Sequence, residues 1–438
     1  MRGGGDEGAA RAEVAGDLRD SPQRWWLMAL LITGMLIAYA HRGALSVAAP
    51  SMMKELHLTE AELGLLLSAF FLSYSLMQVP AGWLVDRLGV RRSYAAGFIF
   101  WSAASVLTGF MRSLPGLAFA RVLVGAGQSV TFPASARAVA NWFQNKERGL
   151  VTAGYLTGVR MGQALVSAAG GYFLYYYDWK LFFIIISILP ALWLLSWQRF
   201  LRRREAQTDA APAVAVSNAR MKKTPSFVES FALLRERTVF GIFLGFFAYD
   251  YAWFVYINWL PGYLALERKF TPKEMGIYSA VPYLSMSVII LLAGASSDYL
   301  IRRGYSEVRV RKAFIVAGLL FGCLIVPAGL VVDKMTAVWL LTISLSGLGL
   351  CSPNTWTLTQ AVCPKHLVGT VTGIQNFGGN LGGFIAPALT GYIAHRTNSF
   401  SLALSITGAL LVVGIFSYVF LIGRGAPVEG AEPERVAL

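Results

Sequence analysis

Charged residues are scarce in this sequence. Asp, Glu, Lys and Arg make up only 14% of its 438 residues, whereas 55% are hydrophobic. A soluble globule of this length would lack the polar residues to cover its surface, so the composition excludes that class and indicates a membrane protein. Apolar stretches of about 20 residues, long enough for a helix to cross a bilayer, predict about twelve spans. They lie near residues 25–50, 62–85, 93–112, 115–141, 149–176, 180–200, 238–264, 275–297, 312–332, 335–361, 368–394 and 400–423.

Several other sequence signals are missing. The three cysteines, Cys323, Cys351 and Cys363, lie within or at the edge of predicted spans, so we expect no disulfide framework. The first 24 residues have no apolar core, which argues against a cleavable signal peptide. The glycine-rich stretch 370–391 has no preceding strand and no Walker lysine, so we interpret it as a close-packing and bending element. Without a metal-ligand or nucleophile constellation, we expect neither an enzyme nor a cofactor.

Basic residues outnumber acidic ones and give a net charge of +14. If the N-terminus lies inside, most of the 38 Lys and Arg residues fall on the cytoplasmic side of the predicted spans. This asymmetry places both termini in the cytoplasm. Because the charge is spread over the loops of one face, with no motif that gathers it, we expect the lipid bilayer and no nucleic acid as a partner.

The polar segment 201–237 is the one long connection between spans, and its composition predicts a cytoplasmic linker. Six predicted spans lie on each side of it. The chain is therefore expected to be an all-α membrane protein of twelve transmembrane helices in two bundles. The expected parts are a cytoplasmic tail (1–24), a six-helix bundle (25–200), the linker, a second six-helix bundle (238–424) and a second tail (425–438).

The two halves share a local signature. GWLVDRLGVRR follows the second span at residues 82–92, and GASSDYLIRRG follows the eighth at residues 294–304. Each has a glycine, three residues and an aspartate: Gly82 with Asp86, and Gly294 with Asp298. A parallel duplication predicts such a match, so the two bundles should be pseudo-symmetric.

Few ionisable residues lie deep in the spans, where a charge costs roughly 2.5 kcal/mol or more. Each therefore needs a partner, a wet cavity or a function. Apart from His41, they are Arg42, Arg121, Arg160 and Asp250. Arg42 is the best candidate for binding an anion, because a guanidinium can hold a carboxylate with two hydrogen bonds. A structural ion pair without a ligand is the alternative.

Arg121 shares a helix face with Gly125 and Gln128, one and two turns further on. We expect the small Gly125 to leave room for a cavity beside the guanidinium. Arg160 lies beside glycines spaced for close helix packing, namely Gly154, Gly158 and Gly162. It either adds a third positive charge to the cavity or anchors Asp250.

Asp250 is the only carboxylate that we find deep in a span. Burial raises the pKa of an aspartate and a nearby arginine lowers it, so a substrate-dependent approach of Asp250 to Arg42 would switch its protonation. A permanent salt bridge to Arg42 or Arg160 fits equally well. His41 titrates near physiological pH and is a second candidate, although a neutral histidine hydrogen-bonded between helices fits as well.

Further polar and aromatic side chains are candidates for recognising ligand hydroxyl groups, because a buried donor or acceptor is costly without a partner. Tyr74 and Gln78 share one face of the second span. The others are Gln163, Tyr249, Trp253, Asn354, Asn376 and Asn380. For each of them, packing between helices is an equally open role.

Longer motifs resemble a known family. The pattern G-x-x-x-D-R-x-G-x-R-R at 82–92, with the basic central loop, closely resembles the major facilitator superfamily. Four segments resemble its anion:cation symporter branch: SYSLMQVPAGWLVDRLG (73–89), ARVLVGAGQSVTFPASARAVANWFQNKERG (120–149), FAYDYAWFVYINWLPGYL (247–264) and TVTGIQNFGGNLGGFIAPALTG (370–391). That branch carries sugar acids such as galactonate, glucarate and hexuronates in bacteria, and sialic acid, glutamate or phosphate in animals.

The resemblance implies roles for particular residues. The turn that begins at Gly82 would be a structural latch, in which Asp86 and Arg87 take part with Arg137 as a partner. Arg42 would meet the anionic substrate, and a tyrosine near Tyr74 would contact it. Arg121 would work with an acidic residue at the position of Gln128 to couple proton binding to substrate.

The chain also departs from the branch. Relatives commonly have Asp-Arg where this chain has His41 and Arg42, and an acidic residue seven positions after Arg121, where this chain has Gln128. Both usual carboxylates are therefore missing from the first half. Because relatives more often have Asn at Asp250, we hypothesise that Asp250, with His41, replaces the missing proton site.

The expected function is transport of organic anions such as sugar acids across a bacterial inner membrane, by alternating access, with protons as the coupling ion. Exchange or facilitated diffusion stays open. One alternative is an exchanger of phosphate or phosphorylated metabolites, and an alternative of another class is a membrane receptor that does not transport. A cationic-drug exporter would need an acidic cavity, so three arginines argue against it. The resemblance implies a monomer.

Overall fold

The computed structural model describes residues 22–143, 147–188, 190–208, 232–364 and 367–423. These residues form fourteen α-helices and contain no strand. The expected C-terminal tail, nearly all of the N-terminal tail and most of the central linker lie outside the described residues.

We number the helices α1 to α14 in chain order. They are α1 (Arg24–Leu56), α2 (Glu60–Thr108), α3 (Leu114–Gln128), α4 (Thr131–Trp142), α5 (Arg148–Tyr176), α6 (Trp179–Ile188), α7 (Ala191–Thr208), α8 (Arg237–Leu266), α9 (Pro272–Arg302), α10 (Glu307–Gly322), α11 (Ile325–Leu330), α12 (Lys334–Val362), α13 (Val368–Thr397) and α14 (Ser401–Phe416). A π-helical segment, Ser417–Leu421, follows α14.

Eight helical segments of the described chain are long and apolar enough to cross a membrane. They are Arg24–Leu56, Glu60–Gln78, Trp179–Arg202, Arg237–Leu266, Pro272–Arg302, Glu307–Leu330, Lys334–Val362 and Ser401–Leu421. The expectation of an all-helical chain with many apolar helices is confirmed. The number twelve and the cytoplasmic termini stay predictions.

Several helix boundaries differ from those expected. The second and third predicted spans form one element, α2, that breaks only at Gly89, where φ is 80° and glycine is tolerated best. Three other predicted spans each form two helices: α3 and α4, α6 and α7, and α10 and α11. Hydropathy averaged over about 20 residues does not detect such short breaks, because each span as a whole stays apolar.

The described residues divide into two compact units. The first contains residues 22–58 and 69–208, and the second contains residues 59–68 and 232–423. In the first unit, α1 and α5 are in backbone contact. A Cβ atom on Gly158 would lie 2.4 Å from the carbonyl oxygen of Ile32, and one on Gly162 would lie 2.2 Å from that of Leu36. The glycine spacing therefore predicted the close packing of α5 correctly.

The second unit repeats this arrangement between α8 and α13. A Cβ atom on Gly378 would lie 2.9 Å from the carbonyl oxygen of Phe243, and one on Gly382 would lie 3.0 Å from the backbone nitrogen of Tyr251. The interpretation of the glycine-rich stretch as a packing element is confirmed at these positions. In both units, the helix of the first predicted span packs against that of the fifth, as a duplication would produce.

Gly162→Ala should destabilise the protein, because the added methyl group collides with backbone that cannot move without separating α1 from α5. Overpacking of this kind costs about 1–3 kcal/mol. Thermal unfolding of the purified protein should show a lower Tm. The matched control is Gly373→Ala, since a Cβ atom there meets nothing within 4 Å and alanine favours the helix. Equal Tm values for the two variants would contradict the packing argument.

Candidate functional site

Arg42 lies in the middle of α1, in a stretch whose residues 38–49 are all buried. A helix segment that is buried on every side is surrounded by other side chains, and several of those around Arg42 are aromatic. The guanidinium carbon lies 4.3 Å from the ring centroid of Tyr39, 4.6 Å from that of Phe70 and 4.7 Å from that of Tyr74. Such contacts stabilise a buried cation but use none of its in-plane N–H groups.

The hydrogen bonds of Arg42 are incomplete. Its side chain is only 3% exposed. Nη1 donates to the Tyr39 hydroxyl at 3.1 Å, and Nη2 donates to Oε1 of Gln128 over a long 3.5 Å. Nε has no partner. Arg42 therefore keeps donors for a ligand, although nothing in the described chain neutralises its charge.

Arg121 is the second buried cation of this unit, with 2% of its surface exposed. Its guanidinium carbon lies 5.1 Å from the centroid of the same Phe70 ring that contacts Arg42. Its Nε and Nη2 atoms are buried without a partner. No aspartate or glutamate is fully buried among the described residues. The two arginines thus share one ring and lack a buried acid.

Gln128 links α3 to α1. It is fully buried, and its Nε2 donates to the carbonyl oxygen of Ala38 at 3.0 Å, while Oε1 accepts from Arg42. A neutral amide can accept this hydrogen bond but cannot cancel a positive charge. The site consequently keeps an excess positive charge at the position where the resemblance implies a carboxylate.

The Gly125 prediction was wrong. A Cβ atom on this residue would lie 2.3 Å from the carbonyl oxygen of Phe70 and 2.3 Å from Oγ of Ser73. The missing side chain therefore lets α2 approach α3, and the space that Gly125 leaves is filled by Phe70 and Ser73 of α2. Its effect on the site is indirect, because this close approach brings Phe70 of α2 next to both arginines.

Gln163 of α5 is fully buried against Gly43, the residue that follows Arg42 on α1. Neither atom of its amide has a hydrogen-bond partner. The amide lies against Gly43, where a Cβ atom would be 2.3 Å from Oε1. Ser167, one turn further along α5, is also fully buried with an unpaired hydroxyl. Because unpaired buried polar groups are costly, this wall of α5 suits a ligand that offers hydroxyl groups.

Tyr74 and Gln78 lie on the same side of α2, as the spacing predicted. The Tyr74 ring stacks on Phe70, with 5.5 Å between centroids, and its hydroxyl lies within reach of Arg42 and Gln78.

The His41 side chain lies near the backbone of Ile186 on α6, and neither ring nitrogen makes a hydrogen bond of ordinary geometry. Tyr74 therefore joins the arginine cluster, and the coupling role of His41 stays a prediction.

The remaining predicted residues of α8 and α13 belong to the second unit. Asp250 is partly exposed, and a Cβ atom on Gly379 would lie 2.1 Å from its Oδ2. Trp253 packs edge-on against Tyr283 at 6.1 Å, and Tyr249 is buried nearby on α8. On α13, Asn376 is exposed, and Asn380 donates to the Asn376 carbonyl oxygen at 3.0 Å. Arg160, in contrast, lies in the first unit with Arg42.

Arg311 of α10 is a buried arginine that the sequence analysis missed. Its Nη2 pairs with Asp298 at 2.7 Å, and its Nη1 donates to Ser297 at 2.8 Å and to Oδ1 of Asn354 at 3.2 Å. Asn354 also donates to the carbonyl oxygen of Leu350, so both polar groups of its amide are used within the protein. The structure thus favours a structural role for Asn354.

The latch predicted in the first half is described only in part, because the Asp86 side chain lies outside the described residues. Arg87 lies over the ring of Trp83 at 5.1 Å, and Arg137 is partly exposed. A Cβ atom on Gly82 would meet nothing within 4 Å, so close packing does not explain this glycine. The latch role of these residues stays a prediction, although Asp298 forms an ion pair at the equivalent position of the second half.

A membrane protein of many helices, with unpaired arginine and amide groups buried inside a helix bundle, is of the solute-transporter class. The chain belongs to the Major Facilitator Superfamily, whose family description matches residues 31–387. The resemblance noted in its motifs is thereby confirmed. Members of this family are transporters and not enzymes.

Named relatives cover nearly the whole chain. It is 30% identical to the D-galactonate transporter of Escherichia coli O6:H1 over 92% of this chain and 96% of that protein. It is 32% identical to the probable L-galactonate transporter of Escherichia coli K12 over 90% and 88%. Its fold is similar to the crystal structure of a bacterial homologue of the human lysosomal transporter Spinster, with a TM-score of 0.74, 18% identity and coverage of 91% and 97%.

Proposed function

We propose that this protein carries small organic anions, and sugar acids in particular, across the bacterial inner membrane by alternating access. The observation that carries the proposal is the pair of buried arginines, Arg42 and Arg121, which share the Phe70 ring and have no buried acid beside them. A buried charge without a counter-ion is costly, and a substrate anion would supply the missing negative charge. The relatives named as galactonate transporters support the same substrate class.

The chemistry of a sugar acid matches the side chains around these arginines. Its carboxylate would accept hydrogen bonds from Arg42, whose guanidinium the aromatic rings hold in place. The unpaired amide of Gln163 offers one acceptor and two donors, as a chain of hydroxyl groups requires. An uncharged sugar would satisfy the amide and leave the arginines uncompensated.

The proposed coupling ion is the proton, and Asp250 is its proposed carrier, with His41 as a second candidate. The support is chemical: Asp250 is the carboxylate of α8, and the resemblance implies an asparagine at this position in most relatives. If Asp250 instead keeps its charge throughout the transport cycle, the protein is an exchanger or an uncoupled facilitator. We propose a monomer, in line with the resemblance.

The experiment that tests the proposed function is competition for D-galactonate uptake into proteoliposomes. Unlabelled sugar acids should compete, and D-galactose, which lacks the carboxylate, should not. Stronger competition by organic phosphates would favour the phosphate exchanger. Saturable binding of D-galactonate without any flux would favour a receptor and contradict the proposal.

Phe70→Leu should weaken substrate binding, because the ring holds both arginine side chains. Loss of two cation–π contacts should raise the KM for D-galactonate roughly tenfold, with a smaller change in the maximal rate. Phe98→Leu is the matched control, since Phe98 packs on Trp101 and Trp193 of the same unit, with centroids 4.9 and 5.0 Å away. Similar KM values for the two variants would show that Phe70 only fills space.

A further inference from the structure

We infer that the transported anion is doubly charged and that Arg121 neutralises its second negative charge. This inference rests on the proposed function and narrows its substrate class. Two guanidinium groups lie within 5.1 Å of the Phe70 ring centroid. Arg42 donates hydrogen bonds to Tyr39 and to Gln128, and both of these side chains are neutral.

A monoanion would leave this site with an uncompensated positive charge. Two buried cations repel each other, and each has lost most of its hydration. One carboxylate cancels one of the charges, whereas a dianion cancels both. The neutral side chain of Gln128 determines this charge balance. An acidic side chain at this position would neutralise one arginine within the protein, and the substrate would then need only one negative charge.

The hydrogen bonds of Arg121 lead to the same conclusion. Its unpaired atoms, Nε and Nη2, lie on the same edge of the guanidinium and together form the fork that binds two oxygens of one anionic group. Arg42 has only Nε fully unpaired, since its other two nitrogens donate within the protein. Arg121 therefore has a complete anion-binding edge that the protein itself does not use.

D-galactonate and galactarate provide a matched pair of ligands. They have the same six-carbon chain and hydroxyl groups and differ in the terminal group, which is an alcohol in the first and a second carboxylate in the second. Calorimetry on the purified full-length protein at neutral pH should give at least about tenfold tighter binding of galactarate than of D-galactonate, because hydrogen bonds to charged groups are worth that much.

Arg121→Gln should remove this preference by weakening the binding of galactarate at least about tenfold more than that of D-galactonate. Arg121→Lys keeps the charge without the fork, so it should keep part of the preference. Thermal unfolding of each variant checks that it is folded. A second test uses inorganic phosphate as competitor at pH 8, where phosphate is a dianion. Effective displacement of D-galactonate by phosphate would support the inference, because phosphate carries both negative charges on one group.

Two results would overturn the inference: equal affinities of the native protein for D-galactonate and galactarate, or a preference that Arg121→Gln leaves unchanged. In either case, continued uptake of D-galactonate would leave the proposed function intact. Failure of the native protein to bind or transport either sugar acid would instead reject the proposed function itself.

Discussion

Arg42→Gln should abolish transport of sugar acids, with initial uptake of D-galactonate at least about 100-fold below that of the native protein. Removing one partner of a buried charged hydrogen-bonded pair costs about 2–5 kcal/mol, because the other charge is left unpaired. Arg42 is almost fully buried, so water cannot replace it as a partner for the carboxylate. Uptake into proteoliposomes, with protein content matched, measures this effect.

Arg42→Lys is the control that separates charge from geometry. A lysine ammonium keeps the positive charge, but it lacks the planar fork and makes poorer contacts with the rings of Tyr39 and Tyr74. We therefore expect Arg42→Lys to restore only a small part of the uptake. Native-like uptake by Arg42→Gln, in a variant that is folded by its Tm, would remove Arg42 from the substrate site.

Asp250→Asn should abolish accumulation driven by a proton gradient while leaving downhill uptake. Asparagine has nearly the same shape, so the contact of residue 250 with Gly379 is preserved, but an amide cannot take up a proton at physiological pH. In vesicles with an acidic exterior, the native protein should concentrate D-galactonate above equilibrium. The variant should only equilibrate it.

His41→Asn is the matched comparison for Asp250→Asn, because His41 is the other candidate proton carrier. If His41→Asn alone loses accumulation, the carrier is the histidine. If neither substitution changes accumulation, both candidates are excluded. If the native protein ignores the gradient, the chain is an exchanger or a facilitator, and its missing carboxylates explain why.

The sequence was enough to predict the residues at the centre of the site. A deep charge in an apolar span is visible without a structure, because it is costly unless something compensates it, and Arg42 and Arg121 were found in this way. The close packing of α5 could also be predicted, since regularly spaced glycines on one helix face allow another helix to approach closely. Both inferences depend only on residue type and helical periodicity.

Other features of the site could not be predicted, because they depend on which side chains face each other across helices. Nothing in the sequence marks Phe70 among 27 phenylalanines as the ring shared by two arginines. Gly125 was misread because a small residue can leave either a cavity or a helix contact. Arg311 was missed because α10 begins at Glu307, several residues before the predicted span, which placed a buried arginine in an expected loop.

The measurement that tests the central claim most directly is counterflow of radiolabelled D-galactonate in proteoliposomes preloaded with unlabelled D-galactonate, without a proton gradient. It reports carrier-mediated movement of the anion whatever the coupling ion. The native protein should accumulate label transiently, and Arg42→Gln should behave like empty liposomes. No transient with the native protein, or an equal transient with preloaded D-galactose, would contradict a carrier of organic anions built around Arg42.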